Sequence, residues 1–432
     1  MSGPAQGMPH ASSRSAVLDV IRAAGTISRT GLVQATGFTG ATISTVVRRL
    51  IDDGLVREIG RAASTGGKRR VLLQLNPSSR YAVGVHLDHA GITYALVDLG
   101  GTVVAQMSRS GVGSRAPQRV VERMTREVAS LIEGAGVRRD RVLGLGLVSP
   151  GPLAPTSGMR LTPPFMRHWE DFPLDRALAA ATGLPVVLEN DATAAALGEH
   201  WSGGVPGTVT FAALHMGTGI GTGLMVGGVS YRGSSGNAGE LGHICLDING
   251  PKCWCGARGC TEAMAGPAAV VAAARADREV ARAAGLGAEP RSVAADFAAV
   301  TRAARRGEPG ALALLEHSAR CLAVAARTLA TIMDLELLVL TGAGFAKAGP
   351  LYLPVVQGEL DRAFFPRATH RVEVRLSQSA ATAPAVGAAT LILRAELVPL
   401  RAGLRLPGDL AGSEPAPAAV PEAPPPGPGA TR

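Results

Sequence analysis

Residues 185–200, PVVLENDATAAALGEH, read as a strand, PVVLEN, that leads directly into a helix opening at Asp191. The stretch places Glu189, Asn190 and Asp191 at the junction of the two. An amide and a carboxylate at the end of a strand suit a polyol, because each can hold a hydroxyl. An Asp there can also act as a base toward a sugar hydroxyl. Taken alone, Asn-Asp at the start of a helix is more often a cap.

The same alternation recurs on both sides. YAVGVHLD (81–88), GITYALVDL (91–99) and TVVAQMSRS (102–110) read as consecutive strands, followed by a helix near 118–133. VLGLGLVSP (142–150) is a further strand and ends in the turn Pro150-Gly151-Pro152. TVTFAALHM (208–216) and GTGLMVGG (221–228) are strands joined by a Gly-rich turn. Ala-rich helices follow, then the strand LELLVLTG (335–342), the strand HRVEVRLSQ (370–378) and a closing helix near 383–397. Strands interleaved with helices imply an α/β body.

The turn between residues 216 and 222 offers a second candidate site. Gly217, Thr218, Gly219 and Gly221 leave backbone N–H groups free to form an anion nest for phosphate. Gly-rich hairpins are common, so the turn says little by itself.

The third candidate is GELGHICLDINGPKCWCGARGCTE (239–262), which gathers His243, Cys253, Cys255 and Cys260 into one segment. Only Cys245 and Cys321 lie outside that set. One imidazole and three thiolates fill a tetrahedral shell for zinc and leave no open position, so the metal would be structural. No secretory signal is expected, and in a reducing cytosol disulfides are rare. Glu240 and Glu262 flank the cluster, where the zinc can hold both carboxylates around a pocket.

The formal net charge is +9 over 432 residues, and its distribution is uneven. Up to residue 80 the chain carries eleven Lys and Arg against four Asp and Glu, a surplus of +7, which leaves +2 for everything after it. A small basic unit on a nearly neutral body suggests a polyanion partner at one end. Residues 13–24 read as a helix, Ser28 as the N-cap of a second helix over 29–36, and Gly37-Phe38-Thr39 as a tight turn. A third helix over 40–53 places Ile43, Val46, Val47, Leu50 and Ile51 on one face and Thr42, Thr45, Arg48 and Arg49 on the other. Strands at 55–59 and 71–75 flank a loop that carries Arg61, Lys68, Arg69 and Arg70. Three helices and a basic-tipped hairpin make a winged helix-turn-helix over 13–78, which would read double-stranded DNA with Thr39, Thr42, Thr45, Arg48, Arg49, Arg61, Lys68 and Arg69. Residues 1–12 are expected to be flexible, and the Pro/Ala-rich tail over 406–432 disordered. No apolar run reaches the roughly 18 residues of a membrane span, so the expected location is cytoplasmic.

In this order the features resemble the ROK family of repressors, open reading frames and kinases, from the winged helix to about residue 397. The most specific matches are PVVLENDATAAALGE, GTGIGTG and GNAGELGHI…CWCGARGCTE. The resemblance implies a two-lobed hexokinase/actin-like domain over 79–397, with a sugar cleft between the lobes and a structural zinc segment over 243–260. It also implies sugar contacts from Asn190, Asp191, Glu240, His243 and Glu262, with Asp191 as catalytic base in kinase members. His243 would bridge the zinc and the sugar.

One departure bears on function. Kinases of this family carry Asp-x-Gly-Gly-Thr after the first strand of the body, and here that position reads His86-Leu87-Asp88-His89-Ala90. Imidazole is a poor partner for Mg²⁺, and His89 has a side chain where phosphate approach needs none. Asp98-Leu99-Gly100-Gly101-Thr102 matches the kinase string but falls where only a hairpin turn is required. Thr193, where kinase members carry Asn, is a smaller change. The damaged loop argues against ATP and Mg²⁺ as cofactors. The expectation is therefore a sugar-released repressor that binds an inverted repeat as a dimer or tetramer. The alternative is an ATP-dependent sugar kinase with a DNA-binding extension.

Overall fold

In the computed structural model, residues 13–61, 70–113, 115–151, 153–154, 158–159, 169, 172–202, 204–205, 209–289 and 291–397 are described. The expected flexible N-terminus 1–12, Lys68, Arg69 and the tail 406–432 lie outside them, as does the side chain of Arg61.

The basic N-terminal unit has helices at Ser13–Ala24, Arg29–Thr36 and Gly40–Asp52. Its three-stranded sheet is ordered Ile27–Ser28, Val71–Leu75, Val56–Arg61. Local chemistry fixes the turn between the second and third helices. The Ser28 hydroxyl accepts from Gly31 N, and Gly37 sits at φ 72°, left-handed, with its N–H on Val33 O. Thr39 then caps the third helix through Thr42 N. That helix buries Ile43, Val46, Val47 and Leu50 and exposes Thr45, Arg48 and Arg49. Three helices and a small antiparallel sheet thus follow one another in this unit, and residues 62–69 between its last two strands lie outside the described residues.

The body holds two five-stranded sheets of the same design. One is ordered Val186–Asn190, Val142–Ser149, Tyr81–Leu87, Gly91–Asp98, Val103–Ser110. The other is ordered Glu373–Leu376, Leu337–Thr341, Phe211–Met216, Ile220–Val226, Val229–Ser230. In each, the central strand forms an antiparallel meander on one side and a parallel ladder on the other. Parallel strands need crossover helices, and these supply each sheet's cover. Each lobe has its own apolar core, one around Val83, Tyr94 and Leu145, the other around Leu214, Leu322 and Tyr352.

Helices Asp191–Ser202 and Ala383–Leu397 join the lobes by packing backbone on backbone. A Cβ on Gly387 would stand 1.7 Å from Ala194 O, and one on Gly198 2.4 Å from Ala383 O. Gly84 and Gly146 meet the second helix equally closely, with Ala385 O and Ala388 O within 1.8 Å of a Cβ. Glycine is needed here for proximity. The first helix of the basic unit rests on this junction, and the Arg22 guanidinium lies 3.9 Å from the centre of the Trp201 ring.

Candidate functional site

The junction at residues 189–191 forms as the sequence indicates. The parallel ladder of Val186–Asn190 on Val142–Ser149 delivers Asn190 and Asp191 to the sheet's carboxyl edge, where ligands bind in α/β folds. A cleft of about 150 Å³ opens there, the volume a six-membered ring fills. Asn190, Asp191, Glu240, His243 and Glu262, the five expected sugar contacts, all line it.

Each of the five is held differently. Asn190 is the helix cap: its Oδ1 accepts from Ala192 N and Thr193 N at 2.9 and 3.1 Å, and its amide reaches Gly151 O. Glu262 accepts from Ile220 N at 2.8 Å and from the Trp254 indole at 2.7 Å. A Cβ on Gly219 would stand 2.3 Å from that carboxylate and would force it to shift from its two donors. Glu240 is largely buried, and its carboxyl is pushed up to about 7 by desolvation and by the charges of Asp191 and Glu262. Asp191 is buried, which alone would raise it, yet His86 and His215 hold it below the ordinary carboxylate range.

His243 also turns Nδ1 toward Cys253 Sγ, 3.6 Å away, while Cys255 and Cys260 bring their sulfurs to 3.7 Å. The ligand atoms of His243, Cys253, Cys255 and Cys260 all lie within 4.8 Å of one another, a cluster that can bind a metal. All five cysteines are free. Burial and the two neighbouring thiols push Cys260 up to about 12. Burial alone would raise Cys255, yet the Ala257 N–H and the thiols of Cys253 and Cys260 hold it below the ordinary thiol range, so the cluster can supply thiolate to a cation.

The Gly-rich turn meets a different environment from the one its sequence suggests. Thr218 Oγ1 lies 2.6 Å from both oxygens of Asp88, across the cleft. Ile220 N–H, the turn's inward donor, is already taken by Glu262. Two of the protein's own carboxylates therefore occupy two donors of the turn, the Thr218 hydroxyl and the Ile220 N–H. The Asp98–Thr102 string is a hairpin turn: Asp98 Oδ1 accepts from Thr102 N, and Gly101 takes φ 94° against Trp201.

The sequence reading passed over several residues here. Trp254 packs edge-on against His243 at 5.2 Å and orients Glu262. Arg232 pairs with the buried Glu189 at 2.6 Å beneath Asn190. His86 and His215 face Asp191 Oδ2 from two strands, at 3.4 and 3.7 Å. The replacement of the kinase Asp by His86 signalled a change, but only the fold places His215 opposite it.

Residues 82–395 match the ROK family profile. The xylose repressor of Bacillus subtilis is 34% identical over 245 residues, which covers 57% of this chain and 63%, less than two-thirds, of that relative. A ROK family transcriptional regulator, a homologue of the E. coli MLC protein, superposes with a TM-score of 0.69 at 25% identity, over 89% of this chain and 96% of its own. A ROK family glucokinase from Streptomyces griseus, in complex with glucose and AMPPNP, gives a TM-score of 0.63 at 29% identity over 72% of this chain and 98% of its own. With the two-lobed fold, the cleft and the Cys/His segment in place, the chain belongs to the ROK family.

Proposed function

We propose that this protein is a sugar-responsive transcriptional repressor, with a DNA-binding unit over 13–78 and a sugar-binding body over 79–397. One observation carries the choice over a kinase. The polyol-binding set converges on one cleft, while Asp88 and Glu262 occupy the Gly217–Gly221 turn with negative charge. A nucleotide phosphate entering there meets two carboxylates at low dielectric, which is repulsive. A neutral sugar meets hydrogen-bonding groups and no such barrier.

In this reading Asn190, Asp191, Glu240, His243 and Glu262 hold the sugar hydroxyls. Zinc held by His243, Cys253, Cys255 and Cys260 would fix the imidazole and the loop that carries Glu240, a supporting role typical of structural metals. Thr39, Thr42, Thr45, Arg48 and Arg49, with Arg61, Lys68 and Arg69 of the wing, would contact an operator. Two copies of the chain would place two third helices on an inverted repeat. The sugar releases DNA only if it favours the DNA-incompetent state, typically by about 1–3 kcal/mol.

The match to a xylose repressor makes xylose the first sugar to test. Selection of genomic fragments at physiological salt should recover a palindromic site, and the inducing sugar should release the protein from it. Recovery of only scattered, salt-sensitive fragments would refute the reading. The superposition with the glucokinase and the placement of Asp191 favour the rival kinase. It predicts Asp191-dependent ADP release over a sugar panel, whereas the repressor reading predicts none.

A further inference from the structure

His86, Asp191 and His215 form a second cluster of ligating side chains, separate from the thiols. Their ligand atoms lie within 4.8 Å of one another, and the residues are 8%, 7% and 3% exposed. We propose that these three residues bind a divalent transition-metal ion, of the zinc, cobalt or iron(II) class, in the floor of the cleft.

The donor chemistry is the first argument. Two imidazoles and one carboxylate are the set that borderline divalent ions take when some coordination positions stay open. Geometry is the second. Ligands about 2.0–2.1 Å from a zinc ion stand about 3.4 Å apart at a tetrahedral angle. Asp191 Oδ2 is 3.4 Å from His86 Nε2 and 3.7 Å from His215 Nε2, two edges close to that spacing, and all three ligand atoms lie within 4.8 Å of one another.

The third argument is satisfaction of polar atoms. His86 Nε2 and both ring nitrogens of His215 are buried and make no well-formed hydrogen bond, the two Nε2 atoms having only the Asp191 carboxylate beside them. Buried polar atoms are normally satisfied, and an ion bound by two of these nitrogens would satisfy them. The backbone also makes room. A Cβ on Gly217 would stand 3.0 Å from His215 Nε2, and one on Gly342 2.9 Å from its Nδ1. Side chains at those positions would crowd the ring from both sides.

Charge is the fourth argument. Asp88 acts electrostatically on both histidines, and Asp191 on Glu240, so several carboxylates share one desolvated region. A dication balances them. Asp191 and His215 line the cleft, so the open positions of the ion would face it. Hydroxyl oxygens of a bound polyol are suitable ligands there.

Metal content tests the proposal without DNA or sugar, and so separately from the repressor reading. The full-length protein is stripped of metal, refilled with excess Zn²⁺, desalted and analysed by mass spectrometry. Two zinc ions per chain are expected for the wild type, and one each for His86→Ala, His215→Ala and Cys255→Ser. Cobalt distinguishes the sites in the wild type alone, should a variant fail to fold. Filling the thiolate site gives strong near-ultraviolet absorption, and the second equivalent should add only weak visible bands. A wild type that saturates at one ion would overturn the proposal, as would a second ion that survives both histidine substitutions. In either case the three residues form a closed His–Asp ion pair.

Discussion

Glu240 shows how a single side chain can carry a measurable signature. Its carboxyl titrates near 7 because desolvation, Asp191 and Glu262 all disfavour the anion. Between about pH 4.5 and about pH 7 the folded protein retains a proton here that the unfolded chain has released. Stability contributed by this group is therefore lost as the pH rises through that window. Glu240→Gln should flatten the fall, read as the difference between the two proteins' denaturant midpoints at about pH 5 and about pH 7.5. Equal slopes would show that Glu240 is ionised throughout. The junction that carries Asn190 and Asp191 was legible in the sequence because strand, cap and carboxylate are adjacent in PVVLEND, whereas Glu240, His243 and Glu262 were tied to it only through the family resemblance. The Thr218–Asp88 contact was not legible, because its partners are 130 residues apart and only the stacking of the two lobes brings them together.

At the scale of elements, the two crossing helices set the tolerance of the body. Gly387→Ala places a methyl group 1.7 Å from a backbone carbonyl oxygen, which cannot rotate away. The cost should reach about 3 kcal/mol, the upper end of overpacking effects, and urea unfolding would measure it. An unchanged midpoint would mean that the helices separate freely. The helices themselves could be read from their Ala-rich runs. Their crossing could not, because small residues on every side give no stripe that points to a partner. The third helix of the basic unit is the opposite case: its apolar period identified both its buried face and its exposed arginines. Arg48→Ala and Arg49→Ala should each weaken operator binding and lower the slope of log affinity against log salt by about one where the arginine meets a phosphate. Unchanged affinity would remove this helix from the groove.

Among the described residues the body repeats one sheet design twice, and the first helix of the basic unit packs at the junction of the two. The duplication was not visible in the chain, since the two meanders share topology without an evident sequence repeat. The route between the sites is short. The helix that opens at Asp191 ends at Ser202, and its Trp201 carries Arg22 of the basic unit. At about 1.5 Å per residue the helix is a rod of roughly 18 Å. Trp201→Ala should leave sugar and operator affinities close to those of the wild type and weaken the sugar's ability to release DNA, as measured by operator titration with and without inducer. Full release would mean that the signal travels by another path. The placement of Trp201 has an optical consequence too. The three tryptophans of the chain fall at separate stations: Trp169 in the first lobe's core, Trp201 beneath Arg22, and Trp254 on Glu262 in the cleft. In a Trp169→Phe background, fluorescence would report the two ends of this path with no added dye. Emission from Trp254 would register arrival of the sugar, and any slower change from Trp201 would time the message reaching the DNA-binding unit.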